Sequence, residues 1–446
     1  MVYNLRMRTL VFWALLTISR LAGAEGQKLT LDQVIAKAVA NPRVQMAEGD
    51  RAAAEARVDE ADAARLPRIK GTAFATISPE IRCDDKTTCI STHPQNFEFA
   101  FSGFFVGAQL DVTQPLYTFG KIAHARAAAR AGLDAQTALA DEAAGDAVSD
   151  AARAYWGLKL ARELGYMLDD GIEQIESAKQ HFDENKGITI SDRQRVAVLL
   201  SQAKAQRADA AQGESQALAG LRAITGVADA DIDDAELATI EHTLPGSKEL
   251  ATERRPQRIA AKSGATAADE LAALETASYF PDIALVGSAV AAKAQGVDDP
   301  PSVFANDPFN RYGVGLVVGM QWQIEPWNVK ARSDRAKAEA HKMHAQAALA
   351  ELGARYDAET ALSEATAAHA KVDAAATGEK AARAWLASVL QNEAIGTAES
   401  RDLVDAYVAW FQLRAQWATA VVGWNVAVIR LGRATGEFKA GAPRPR

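Results

Sequence analysis

Phe104-Phe105-Val106-Gly107-Ala108-Gln109-Leu110-Asp111-Val112-Thr113 decides the fold: Phe104, Val106, Ala108, Leu110 and Val112 share one face, Gly107, Gln109, Asp111 and Thr113 the other. Side chains of a β-strand point alternately to opposite sides, so the stretch is a strand with one apolar and one polar face. In a water-soluble sandwich the polar face would look outward. In an outer-membrane barrel the apolar face meets lipid and the polar face lines the lumen. Further along, Tyr312, Val314, Leu316, Val318, Met320 and Trp322 oppose Gly313, Gly315, Gly319, Gln321 and Gln323 in the same way.

Each of these strands follows a weaker partner. Ile69, Gly71, Ala73, Ala75 and Ile77 alternate with Lys70, Thr72, Phe74, Thr76 and Ser78, and Ile283, Leu285, Gly287 and Ala289 mark the other. The pattern predicts strands at about 68–79, 100–114, 281–292 and 311–324, each long enough to span a membrane when tilted. The connections, Pro79 to Gln95 and Gln295 to Asn310 with Asp298-Asp299-Pro300-Pro301, are polar and broken and are expected to be exposed extracellular loops.

The chain carries this unit twice. Pro67 with Pro281, Leu116 with Ile324, Gly187 with Gly396 and Thr225-Gly226 with Thr435-Gly436 set an offset of about 210 residues. Repeat 1 is expected over 25–226, an inter-repeat segment over 227–255, repeat 2 over 256–436 and a tail over 437–446. Leu29-Thr30-Leu31-Asp32 opens the first helix, with Thr30 placed to cap it, and Pro67 ends the Ala-rich stretch that follows.

Between Gly120 and Lys186 there is no proline, and a helix of about 65 residues there would reach about 100 Å. Asn328 to Glu393 repeats this, so long helices are predicted at about 120–186 and 328–394, with return helices at about 191–226 and 398–436. Ala151, Leu158, Gly165 and Ile172 fall on a heptad, as do Val196, Ala203, Ala210, Ala217 and Ile224, and then Leu403, Trp410, Trp417, Trp424 and Leu431. Sustained heptads with small residues describe coiled-coil seams with closely approaching helices, and the tryptophans read as core. The acidic stretch Val227 to Arg255 lacks a period and is expected to form a short side structure.

Composition sets further bounds. Arg6 and Arg8, the apolar run from Thr9 to Ile18 and Ala22-Gly23-Ala24 fit a secretory signal peptide over 1–24, although Arg20 leaves an uncleaved anchor as a second reading. No later stretch approaches the roughly 18 apolar residues of a spanning helix. A net charge of -8 and a pI near 5.5 offer no basic footprint for nucleic acid. Cys83 and Cys89 share a polar loop. In an exported protein they suit a small disulfide worth roughly 2 kcal/mol, the alternatives being two free thiols or a metal pair. Tyr117, Phe119, Tyr279, Phe280, Trp322 and Trp327 gather where strands meet helices, either as a membrane-interface girdle or as ordinary junction packing.

No residue set looks catalytic, and neither a cofactor nor a resident metal is expected. His341 and His344 flank Met343 on a helix, a pattern open to a soft-metal reading but lacking a visible third ligand.

In this order, and twice over, Leu29-Thr30-Leu31 with Asn41-Pro42, the corner from Gln114-Pro115-Leu116 to Gly120-Lys121 and both glycine turns make the chain resemble the TolC-like outer-membrane efflux proteins. The resemblance implies an α+β membrane protein in the outer membrane of a Gram-negative bacterium, with its helices in the periplasm. It implies a homotrimer with a twelve-stranded β-barrel, four strands per chain, continued by a long α-helical coiled-coil tunnel. A four-stranded sheet cannot close alone, so physical reasoning also demands an oligomer. Such a trimer is the exit duct of a tripartite efflux or type I secretion system. Its implied partners are a periplasmic adaptor (membrane fusion) protein, a proton-driven or ATP-binding-cassette inner-membrane pump, and outer-membrane lipid. A soluble periplasmic coiled coil is the competing reading.

The two tips, Lys186 to Asp192 and Glu393 to Asp402, would form the periplasmic entrance and contact the adaptor around Gly187, Ile188, Gly396 and Thr397, the glycines taking left-handed positions at the reversals. The family's aperture carboxylates align with Asp402 and Asp405 on one helical face, and Asp192 matches an acidic residue of the other tip or serves as a helix cap. Grouped around an entrance, these carboxylates would favour cations and make closure sensitive to pH and divalent ions. The family's latch tyrosine and arginine align with Glu393 and Ala398, so those contacts do not carry over, and Arg401 is the nearby replacement charge.

Overall fold

The computed structural model describes residues 27–80, 101–184, 189–233, 235–246, 250, 252–299, 307, 309–394 and 400–437. The expected leader, the Cys83 and Cys89 pair and both glycine turns lie outside them. The described elements are β1 (Gln27–Leu29), α1 (Leu31–Val39), α2 (Pro42–Ala63), β2 (Arg68–Pro79), β3 (Phe101–Tyr117), α3 (Lys121–Glu184), α4 (Ile190–Thr225), β4 (Ala230–Ile232), α5 (Pro256–Ala277), β5 (Asp282–Ala294), β6 (Arg311–Gln321), α6 (Pro326–Ala394) and α7 (Ser400–Thr435). The two repeats read directly from this order. α2 and α5 both have 22 residues, α4 and α7 both have 36, and each repeat places two strands and then its longest helix between them.

The chain divides into two compact units. One comprises residues 52–134 and 262–346 and holds an antiparallel sheet in the order β2-β3-β5-β6. Its register sets Ile69 opposite Val112 and Gly71 opposite Leu110, then Leu110 opposite Ala289 and Ala289 opposite Val314. The apolar residues of all four strands therefore share one face. The opposite face carries Lys70, Asp111 and Ser288 in one row and Thr72, Gln109 and Val290 in the next.

Two strand ends depart from expectation. β3 runs through Pro115 to Tyr117 because a register shift between Pro115 and Tyr117 accommodates a residue with no N–H to give the ladder. β6 stops at Gln321, where the Trp322 indole turns away to donate to the Tyr279 carbonyl at 3.1 Å. The expected exposed loop after β5 is also partly corrected, since Gly296 and Val297 are buried.

The other unit comprises residues 1–51, 135–261 and 347–446. Thr30 closes a capping box with Gln33 at the start of α1. The first helix is interrupted at Ala40-Asn41, and Asn41 donates to the carbonyl of Ile224 at 2.8 Å, satisfying an end of α4 that has no partner within its own helix. Leu29, Val34, Ala151, Leu158, Leu221 and Ile232 form its main core. The inter-repeat stretch contributes β4, parallel to β1, a pairing too short to leave a periodic signature. Beyond it, fully buried Asn425 accepts from the Ile240 N–H and donates to the Ala238 carbonyl, both at 2.8 Å, while the Trp424 indole donates to the Ile240 carbonyl at 2.8 Å. Trp424 and Leu431 of the heptad stripe are buried in the α6/α7 core.

Candidate functional site

Among the described residues, much of the sheet's apolar face stays uncovered. Val314, Leu316, Val318 and Met320 on β6 stay largely exposed, as do Ile69 and Ile77 on β2 and Phe104 on β3. A patch of this extent is unstable in water and marks a surface meant for another phase. The polar face carries a short network, with Gln109 Nε2 donating to both Asp111 oxygens at 2.9 and 3.0 Å. The glycines Gly313, Gly315 and Gly319 keep the β6 side of that face shallow.

At the helix-proximal end of the sheet, Phe119 and Gly120 both adopt positive φ, 49° and 90°, and turn β3 sharply into α3. The turn gathers three of the aromatic residues: Tyr117 meets Phe119 edge-on at 4.6 Å, and Phe119 stacks on Phe280 at 5.2 Å. Trp322 joins Tyr279 through its indole hydrogen bond. Trp327 stands apart at 83% exposure. Lys121 locks the corner by donating to the Phe280 carbonyl at 2.8 Å and pairing with Asp282 at 2.9 Å.

The helices beneath are joined by ion pairs. Asp62 of α2 binds Arg126 of α3, and this hydrogen bond holds its carboxyl below the usual range. His124 Nδ1 lies 2.7 Å from Glu270, and His344 Nε2 lies 2.8 Å from Asp269, so His344 turns to a carboxylate rather than toward His341. Among the described residues, no three His, Cys, Asp or Glu residues group as a metal site.

In the helical unit, Leu403, Ala406 and Tyr407 at the start of α7 pack on Leu386 and Val389 of α6. Val404 and Phe411 face Ile175 and Val196. With those two directions filled, Asp402 and Asp405 fall on the exposed side. Asp402 lies in the first turn, where the helix dipole favours a negative charge. Asp405 pairs with Arg401 at 3.7 Å, an exposed contact worth about 0–1 kcal/mol. Asp192 lies in the first turn of α4, and its side chain is outside the described residues. Higher up, Arg414 pairs with Glu163 at 2.6 Å and lies 4.5 Å from the Trp417 ring centre, tying α3 to α7. Burial, then the Asp233 carboxylate to which it donates at 2.8 Å, push the Tyr155 hydroxyl well above its usual range.

Sequence reasoning missed a group on the polar face of the sheet: Phe74, Phe105 and Phe309. Phe105 meets Phe74 at 4.9 Å and Phe309 at 5.4 Å, both edge-on. The available signal was that Phe74 and Phe105 break an otherwise polar alternation.

An apolar-outside, polar-inside antiparallel sheet joined to very long paired helices defines the class of TolC-like outer-membrane channels, a β-barrel continued by an α-helical tunnel. The outer membrane efflux protein family matches residues 37–227 and 248–437, and the chain belongs to that family. It is an exit duct of the outer membrane; the family is one of efflux channels rather than enzymes. CusC has a similar structure, with a TM-score of 0.75 at 16% identity over 92% of this chain and 93% of that one. The CmeC outer membrane channel of Campylobacter jejuni gives 0.75 at 15% identity, covering 93% and 87%. The open-state MtrE outer membrane channel of Neisseria gonorrhoeae gives 0.74 at 20% identity, covering 91% and 88%. Comparison with curated proteins found no match.

Proposed function

We propose that three copies of the chain close one twelve-stranded barrel and that this duct receives cargo from an inner-membrane pump through a periplasmic adaptor. The observation that carries the reading is the four-stranded sheet itself. β2 and β6 are its two edges, and among the described residues much of its apolar face is uncovered. Backbone groups at membrane depth must be hydrogen-bonded, so such edges require closure against further copies.

In this reading Tyr117, Phe119, Tyr279, Phe280, Trp322 and Trp327 form the periplasmic girdle. The exposure of Tyr117, Phe280, Trp322 and Trp327 supports an interfacial role over plain packing. Gly187, Ile188, Gly396 and Thr397 contact the adaptor at the helical tips. Asp402, Asp405 and Asp192 line the aperture. The exposure of Asp402 and Asp405 on α7 supports this, and the Arg401 contact to Asp405 offers a local counter-charge in place of the family's latch. The pump is either proton-driven or an ATP-binding-cassette transporter.

A planar-bilayer recording tests the aperture. The Asp402→Ala/Asp405→Ala variant is expected to lose cation selectivity and block by divalent ions added from the periplasmic side, because clustered carboxylates attract both. Unchanged selectivity and block would remove these residues from the gate.

A further inference from the structure

The polar face of the sheet carries an unbalanced charge. It presents Arg68 and Lys70 on β2 and Arg311 on β6, all exposed. The same face of the described strands holds two carboxylates, Asp111 on β3 and Asp282 on β5. Asp282 is taken by Lys121, from the corner that follows β3, at 2.9 Å. Asp111 offsets one of the three remaining cations, which leaves the face with a positive surplus in every chain.

The register sets Asp111 opposite Lys70, yet the two do not pair. The Asp111 carboxylate instead accepts from Gln109 of its own strand, at 2.9 and 3.0 Å. Among the described residues, neither Arg68 nor Lys70 has an ion-pair partner. Closure of the barrel does not supply one. β2 is an edge, and the edge that a neighbouring copy brings beside it is β6, whose polar face reads Arg311, Gly313, Gly315, Val317, Gly319 and Gln321. That row contains no carboxylate in any register, and its glycines leave room for the long Arg68 and Lys70 side chains to stay in the bore.

We infer that the barrel bore is an anion-attracting sleeve, lined by Arg68, Lys70 and Arg311 of each chain, that favours cargo bearing carboxylate or phosphate groups. The inference rests on the trimeric barrel proposed above and adds the chemistry of its cargo. Twelve strands about 4.8 Å apart and tilted by about 40° make a backbone cylinder about 24 Å across. Side chains that reach inward bring their charges within one Debye length of the axis, about 10 Å at an ionic strength of about 0.1 M. A water-filled bore with low-dielectric walls focuses such a field and concentrates ions of opposite sign. Guanidinium and ammonium groups also hold carboxylates and phosphates through charge-assisted hydrogen bonds, so solutes with several such groups are retained most. The sleeve acts in the opposite sense to the carboxylate-lined tip, which favours cations.

Block of single channels in planar bilayers tests the sleeve, with inositol hexakisphosphate as the probe. Added to the outer chamber in about 0.1 M KCl, the probe is expected to lower the conductance of the wild-type channel, and about 1 M KCl is expected to abolish the effect by screening. Arg68→Gln/Lys70→Gln is expected to need a several-fold higher probe concentration for the same block, whereas Arg68→Lys/Lys70→Arg retains the charge and the block. Lys70→Gln alone is expected to shift the block in the same direction by less, so a failure of the double variant to assemble leaves the charge testable. Asp402→Ala/Asp405→Ala is expected to keep the outer-chamber block, which separates the sleeve from the tip. Conducting channels that show no block in the wild type, or equal block in the wild type and the glutamine variants, would overturn the sleeve alone. Absence of any channel in the wild type would overturn it together with the trimeric duct.

Discussion

At the scale of single residues, the fold depends on polar groups placed where backbone ends and helix faces need them. Asp62 is the clearest case for pH. The Arg126 hydrogen bond holds its folded pKa below the unfolded value, so its contribution is present above the usual carboxylate range and is lost as pH falls through the lowered value. Asp62→Asn is therefore expected to lower the thermal midpoint of the assembled protein at neutral pH, with the difference from wild type shrinking on acidification. A difference that persists undiminished at low pH would contradict this assignment. Thr30 and Asn41 were readable as a cap and as part of a family signature, but the Asn41 hydrogen bond to Ile224 spans most of the first repeat and has no local trace. Asn425 was equally hidden. A buried asparagine in a tryptophan-marked heptad gives no sign that it anchors residues 238–240 of the inter-repeat segment.

At the scale of elements, the strands were legible because alternation is strict. The ladder pairs Gly287 with Leu316 and Val286 with Val317, which puts Leu316 on the apolar face and Val317 on the polar one. Both are well exposed in one protomer, at 73% and 59%. A soluble sheet would accept a charge at either position. A barrel wall would not: Leu316→Lys is expected to cost about 2–4 kcal/mol near the bilayer midplane and to deplete assembled protein from the outer membrane, whereas Val317→Lys is expected to assemble. Equal assembly of the two would contradict the assignment of faces. What the pattern did not reveal was non-local. β1 and β4 have three residues each and pair across most of a repeat. The connection after β5 looked like an exposed loop because its polar residues conceal Gly296 and Val297, whose burial depends on Ser78 and Asn310. Phe74 and Phe105 were visible as exceptions to alternation, but their meaning needed Phe309.

At the scale of the whole molecule, duplication explains why two hairpins supply one sheet and two helical pairs supply one bundle. The helices align over matched lengths, and the sheet places the second strand of the first repeat beside the first strand of the second. The tips diverge, since Asp402 and Asp405 have only Asp192 as a counterpart. An open four-stranded sheet with a lipid-facing side cannot persist as a monomer in water or in a bilayer. The most direct measurement is the mass of the particle released by detergent from isolated outer membranes. The expected result is three chains per particle, found in that fraction only after detergent extraction. Recovery of a monomer in the osmotic-shock supernatant would contradict the account.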